Sequence, residues 1–331
     1  MKILAERAGA YAPGLGVALV IAAAATFLSE HYTAPVMLYA LLLGMAFNFL
    51  TESEKTRVGI ELASKTLLRI GVSLLGLRIG WSQVTALGVE PVVLVIVMTA
   101  ATILISVLLA KAMGFNPLFG FLSGGATAIC GASAALALSA ALPAHEKKEQ
   151  ATLFTVIGVS AFSTLAMIVY PLISRAAGLS DHAAGIFIGA TIHDVAQVVG
   201  AGYAISPEAG DTATIVKLLR VAMLLPVILV AGQITRSSAS TGTSAPPLLP
   251  WFVMAFGALM ILNSAVTLPK AVLSAGHELS RWCLVTALVA IGMKTQLAQI
   301  VQIGFRPVVL MAVETILLAS AVLAALRFFG T

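Results

Sequence analysis

Charged side chains are scarce in this chain. Asp, Glu, Lys and Arg make up 10% of its 331 residues, hydrophobic residues make up 60%, and the mean hydropathy is +1.03. A soluble domain carries about 25% charged residues. Even at ~300 residues it leaves roughly a quarter of its unfolded surface in water. A soluble core of this length could not hide so much apolar surface. That excludes an ordinary cytosolic enzyme, a disordered protein and a nucleic-acid binder. Cysteine is nearly missing as well. Cys130 and Cys283 both lie in apolar segments, so neither a disulfide framework nor a zinc site is indicated. His-Glu-x-x-His and Gly-x-Ser-x-Gly do not occur, which removes two familiar hydrolase motifs. Only one long polar stretch exists, 236–247, Arg-Ser-Ser-Ala-Ser-Thr-Gly-Thr-Ser-Ala-Pro-Pro. It reads as a flexible loop, and no soluble domain fits anywhere.

What the chain does have is apolar runs. Spans are expected near 13–30, 34–51, 61–80, 90–113, 117–143, 151–175, 183–204, 213–235, 250–268, 279–294 and 306–328. Each is near the ~20 residues that cross a bilayer as a helix. The alternation of a membrane barrel is missing. The expected fold is therefore an all-α polytopic membrane protein of about 10–11 transmembrane helices, one integral membrane domain over 1–331. Lys2 and Arg7 precede the first run, which reads as a helix that stays attached rather than a signal peptide. The 19 basic and 14 acidic residues give +5, and the basic ones mostly sit between runs, where they fix orientation.

Two internal repeats stand out. Segment 64–94 matches 280–310 without a gap: Gly76 pairs with Gly292, Arg78 with Lys294, Gly88 with Gly304, and Pro91-Val92-Val93-Leu94 with Pro307-Val308-Val309-Leu310, all 216 apart (307 − 91 = 216). Asn48 and Asn263 fall near equivalent places. The repeat-related segments are 34–113 and 250–328. An odd number of spans separates them, which places them in opposite orientations, as in many secondary transporters. A shorter repeat aligns Gly-Ala-Thr at 125–127 with Gly-Ala-Thr at 189–191. Its copies are two spans apart, hence in the same orientation unless one of them re-enters the membrane. Lys147 and Lys148 lie on a side that depends on that answer.

Both triplets lead into polar residues where a span ought to be apolar: Thr127, Cys130 and Ser133, then Thr191, His193, Asp194 and Gln197. Small residues four apart, such as Gly120/Gly124 and Gly185/Gly189, serve close helix packing. Alternatively 117–143 and 183–204 are broken helices, with Gly124, Gly125, Gly131 and Gly189 marking the breaks. A half-helix N-terminus there suits an anion. His193-Asp194 is the sharpest signal, because ionisable residues inside a span face a cavity or a partner. His193 shares a helix face with Gln197 and titrates near neutral pH, so it could carry a proton. Glu314 is a second buried candidate for a coupling proton or cation, with no partner assignable. Lys65, Arg69, Arg281, Lys217 and Arg220 lie near span ends, where snorkelling explains them. The alternative is a basic pocket, for which Lys65 and Arg281 are the best pair because both repeats retain it.

At these residues the sequence resembles a known family. Gly-Ala-Thr-Ala-Ile-Cys-Gly-Ala-Ser-Ala (125–134) and Gly-Ala-Thr-Ile-His-Asp-Val-Ala-Gln-Val-Val-Gly-Ala-Gly (189–202) are similar to the YeiH-type family of proposed sulfate exporters, within the cation/proton antiporter and anion transporter superfamily. Asp194 stands where some relatives carry Glu. The resemblance implies inverted repeats with discontinuous helices, a scaffold and a moving core, and a bacterial inner membrane.

The expected function is proton-coupled transport of a small anion by alternating access, with sulfate or a related sulfur oxyanion first. Thr127, Cys130, Ser133, Thr191, His193, Gln197, Lys65 and Arg281 are the expected substrate-binding residues. His193, Asp194 and Glu314 are those expected for the proton or cation. The alternatives are a sodium- or proton-coupled carrier of another substrate, such as an organic acid, and, in a different class, an intramembrane enzyme. No catalytic residue, cofactor or metal is expected, and a homodimer is expected by analogy alone.

Overall fold

The computed structural model describes residues 2–32, 36–79, 85, 87–143, 148–236, 251–266, 268–295 and 304–329. Lys147 and most of the polar stretch 236–247 lie outside them. The described helices are α1 (Lys2–Tyr32), α2 (Val36–Ala46), α3 (Glu54–Leu62), α4 (Leu68–Leu75), α5 (Glu90–Ala112), α6 (Pro117–Ala128), α7 (Ala132–Ala141), α8 (Lys148–Ala176), α9 (Asp181–Thr191), α10 (Val195–Ile205), α11 (Pro207–Ala222), α12 (Leu224–Arg236), α13 (Trp251–Ala265), α14 (Lys270–Lys294) and α15 (Phe305–Phe329). No strand occurs among the described residues. Among the described residues five stretches are long and apolar enough to cross a membrane: Ala10–Tyr32, Glu90–Ala112, Lys148–Ala176, Pro207–Gln233 and Phe305–Phe328. The protein is an all-α polytopic membrane protein.

Several expected spans are subdivided. Segment 34–51 is α2 followed by a 3-10 turn, Asn48–Thr51. Segment 61–80 includes a π-helical stretch, Ala63–Leu67, between α3 and α4. The chain, taken in sequence as one domain, groups into two compact units: Met1–Leu87 with Pro250–Gln296, and Gly88–Leu249 with Leu297–Thr331.

In the first unit glycines let backbones touch. A Cβ on Gly292 would lie 2.3 Å from the Leu41 carbonyl oxygen and 3.0 Å from Met45 N. A Cβ on Gly76 would lie 2.3 Å from the Phe256 carbonyl oxygen and 3.1 Å from Met260 N. The two glycines are 216 residues apart (292 − 76), and the backbones they meet are 215 apart (256 − 41, 260 − 45). The 216-residue repeat is thus also a repeat of contacts. Asn48 caps one of these joints, donating from Nδ2 to the Met293 carbonyl and, at 3.3 Å, to the Thr295 carbonyl. Those carbonyls belong to a helix end without intrahelical partners.

The second unit carries the 64-residue repeat, which extends well beyond Gly-Ala-Thr. Helix α5 ends with Gly114 at φ +79 and α8 with Gly178 at φ +68. Each end closes with the same hydrogen bonds: Phe115 N to Ala110 O (2.8 Å) and Leu179 N to Ser174 O (3.1 Å). That six-to-one bond with a left-handed glycine is a Schellman ending. The next helix starts on a capping side chain in both copies, Asn116 accepting from Leu118 N and Ser180 from Ala183 N. The offset is 64 at each point (178 − 114, 180 − 116, 189 − 125). The helix that follows breaks in both copies.

Candidate functional site

Helix α6 stops at Ala128, residues 129–131 form a turn, and α7 begins at Ala132. Helix α9 stops at Thr191, residues 192–194 are non-helical, and α10 begins at Val195. The two interruptions adjoin: a Cβ on Gly131 would lie 3.5 Å from His193 Cβ. Of the glycines expected at breaks, only Gly131 is at one, with φ +66. Gly124, Gly125 and Gly189 lie inside helices and serve packing. A Cβ on Gly124 would sit 2.4 Å from Ser106 Cβ, one on Gly125 2.4 Å from Leu138 Cδ1, and one on Gly189 2.5 Å from the Ala213 carbonyl oxygen.

Ending two helices inside a membrane unit leaves carbonyls that water cannot reach. Two buried basic side chains of α11 take them. Lys217 Nζ donates to the carbonyls of Ile129 (2.7 Å), Ile192 (2.9 Å) and His193. Arg220 donates to those of Ala128 (2.7 Å), Thr127 (2.8 Å), Ile192 (3.0 Å) and Gly189 (3.2 Å). Each cation therefore spans both breaks, at the negative ends of two half-helices. Among the described residues neither makes an ion pair with a carboxylate. The snorkelling expected of Lys217 and Arg220 does not occur, for their relative exposures are 0% and 2%.

His193 and Gln197 do not share a helix face, because His193 lies in the break and Gln197 in the first turn of α10. The imidazole of His193 is held at both nitrogens, Nδ1 by the Thr127 carbonyl (3.0 Å) and Nε2 by Thr315 Oγ1 (3.1 Å). A carbonyl only accepts, so Nδ1 carries the hydrogen. Asp194 caps α10, accepting from Ala196 N at 2.8 Å, while its own N–H donates to Ser163 Oγ. Gln197 Nε2 donates to Thr164 Oγ1 at 2.9 Å. Its buried Oε1 has no partner.

Glu314 of α15, to which sequence assigned no partner, meets two hydroxyls of α6. It accepts from Ser123 Oγ at 2.7 Å and Thr127 Oγ1 at 3.2 Å. Thr127 is therefore shared, its hydroxyl on Glu314 and its carbonyl on His193 and Arg220. Thr191 turns its hydroxyl back to the Phe187 carbonyl (2.6 Å), and Cys130 is buried in the first break. Ser133 is exposed on α7 and does not join the cluster. Lys65 and Arg281 belong to the first unit, where they are exposed and paired with Glu61 (2.6 Å) and Glu278 (3.9 Å). The basic pocket proposed for them does not form: they lie four and three residues from their partners, on helix surfaces. Sequence reasoning missed Lys217, Arg220 and Ser123 as members of the site. The signal was there for the first two, as paired cations in an otherwise apolar run.

Adjoining interrupted helices held together by buried cations define a transporter-like, multi-pass membrane protein. The chain belongs to the family described as Conserved hypothetical protein 698, which matches residues 13–311. It is 52% identical to a UPF0324 membrane protein of Chlorobaculum tepidum, over 95% of this chain and 88% of that one. It is 48% identical to a UPF0324 membrane protein of Rhizobium meliloti, over 97% and 94%. It is 46% identical to the UPF0324 membrane protein TauZ of Paracoccus denitrificans, over 96% and 95%. No solved structure matches the chain.

Proposed function

We propose that this protein is a proton-coupled secondary transporter of a small anion in a bacterial inner membrane, with sulfate or a related sulfur oxyanion the first substrate to try. The observation that carries the reading is the pair of buried cations at the two breaks. Lys217 and Arg220 spend their donors on carbonyls, so their positive charge is held without a contacting carboxylate and favours an anion nearby. Helix α7 adds an N-terminus whose cap residue, Gly131, has no side chain to close it, an end that suits a negative group. The sulfur oxyanion comes from the resemblance to the YeiH-type family. The repeated glycine joints of the first unit support inverted repeats. In this reading that unit is the scaffold, and the second unit is the core that shifts.

The test is labelled sulfate flux in proteoliposomes under an imposed pH gradient without sodium. Accumulation driven by the gradient is expected. The His193→Ala variant should stay folded and lose the pH dependence, because the ring ties the break to α15. No flux under either polarity would remove sulfate, and accumulation that needs sodium would replace the proton.

A further inference from the structure

We infer that Glu314 is where the coupling proton binds, with Ser106 as the hydroxyl that accepts the hydrogen bond of the protonated carboxyl. The word coupling rests on the transport reading; the protonation does not. Glu314 is 2% exposed and lies well inside a span. Its carboxyl meets two hydroxyls, Ser123 and Thr127, and among the described residues no cation pairs with it. A carboxylate so placed is poorly compensated for losing water.

Ser106 is a second, independent observation. It is completely buried, and its Oγ lies beside the same carboxyl but forms no well-made hydrogen bond to it or to any other group. Both residues line a cavity of about 30 Å³ between α5 and α15. The other polar lining group is Thr102, and the rest is apolar. Gly124 on α6 leaves room for the Ser106 side chain, since a Cβ there would sit 2.5 Å from Ser106 Oγ. A cavity of this size admits a water molecule, whose entry needs about 10–15 Å³. Water there brings the proton and takes it away.

A hydroxyl is both donor and acceptor. Beside an ionised carboxylate Ser106 can turn its O–H toward it. Once the carboxyl is protonated, the new O–H donates to Ser106 Oγ. Both states are satisfied by one rotation, with Ser123 and Thr127 unmoved.

The surroundings connect this proton to the breaks. Helix α5 presents Thr102 and Ser106, and α6 presents Ser123 and Thr127, all neutral. The titratable groups of the second break are His193, reached through Thr127 and Thr315, and Asp194, which caps α10. Behind them lie Lys217 and Arg220, the latter on the Thr127 carbonyl. Hydrogen bonds from Ser123 and Thr127 to an ionised Glu314 are charge-assisted, and protonation weakens them. Protonation state thus sets how firmly α15 is held to the end of α6.

Infrared difference spectra of the purified protein in lipid, acid minus alkaline and without any substrate, test the site directly. A carboxylic-acid C=O band is expected that vanishes in Glu314→Gln and shifts in Ser106→Ala. Identical spectra for wild type and Glu314→Gln would overturn the inference, as would a band that sodium ions abolish at fixed pH. If Glu314→Gln does not reach the membrane, Ser106→Ala decides alone: a shifted band supports the pair, an unshifted one removes it. In proteoliposomes Glu314→Gln should lose the drive from a pH gradient. A wild type that moves no sulfate yet shows the band would sink the substrate and leave the site standing.

Discussion

At 129–131 the chain turns on a glycine; at 192–194 it turns without one. Gly131 takes φ +66 and ψ −129 and offers no side chain to the helix it starts. At the second break Ile192 is extended, and Asp194 caps the helix it starts while Ser163 holds its N–H. The 64-residue repeat places both breaks, but only one has its N-terminus closed by a carboxylate. The capped break is fixed by local chemistry. At the uncapped one Gly131 supplies the turn, and its helix N-terminus is met by the Cys130 side chain rather than by a carboxylate. What the two share is the far side, where Lys217 and Arg220 serve the carbonyls of both.

Removing what is shared should have the largest effect. Arg220→Leu orphans carbonyls at both breaks and should destabilise the protein by several kcal/mol, since each buried acceptor left unpaired costs about 1–3 kcal/mol. Thermal unfolding in lipid should show it, and a melt unchanged from wild type would mean the carbonyls find other donors. Gly131→Ala tests the first break alone. A non-glycine residue at that φ and ψ costs about 1–3 kcal/mol, while the Cβ meets His193 at only 3.5 Å. The loss should therefore come from strain and should also lower anion flux. Asp194→Ala tests the second break and should be mildest, at about 1 kcal/mol for a lost cap. Asp194→Asn should recover most of that stability, since the amide oxygen still accepts. If Asn restores stability but not pH-driven flux, Asp194 has a role in coupling beyond its cap.

Much of this was legible in the sequence, for definite reasons. Helices follow from long apolar runs, and the second repeat shows in Gly-Ala-Thr because the same packing needs recur 64 residues on. His193 and Asp194 stood out because charge in a span needs a reason. Lys217 and Arg220 were legible only as charges. Whether a lysine snorkels or is buried depends on which backbones cross it, and residues about 90 positions away supply the carbonyls. Ser133 shows the opposite failure: polarity alone put it in the cluster, but α7 turns it outward. The glycines of Gly-Ala-Thr marked closely packed helix faces, with the breaks a few residues further on.

The buried cations have an electrical consequence. Lys217 and Arg220 sit within a membrane-spanning stretch, bound to backbone rather than to opposite charges. Any displacement of that helix along the membrane normal carries them through the transmembrane field. Moving one elementary charge across 100 mV is worth about 2.3 kcal/mol. In the proposed transport cycle, a shift through even part of the field would make the step without a bound anion respond to voltage, and an anion carried beside the cations would reduce that response.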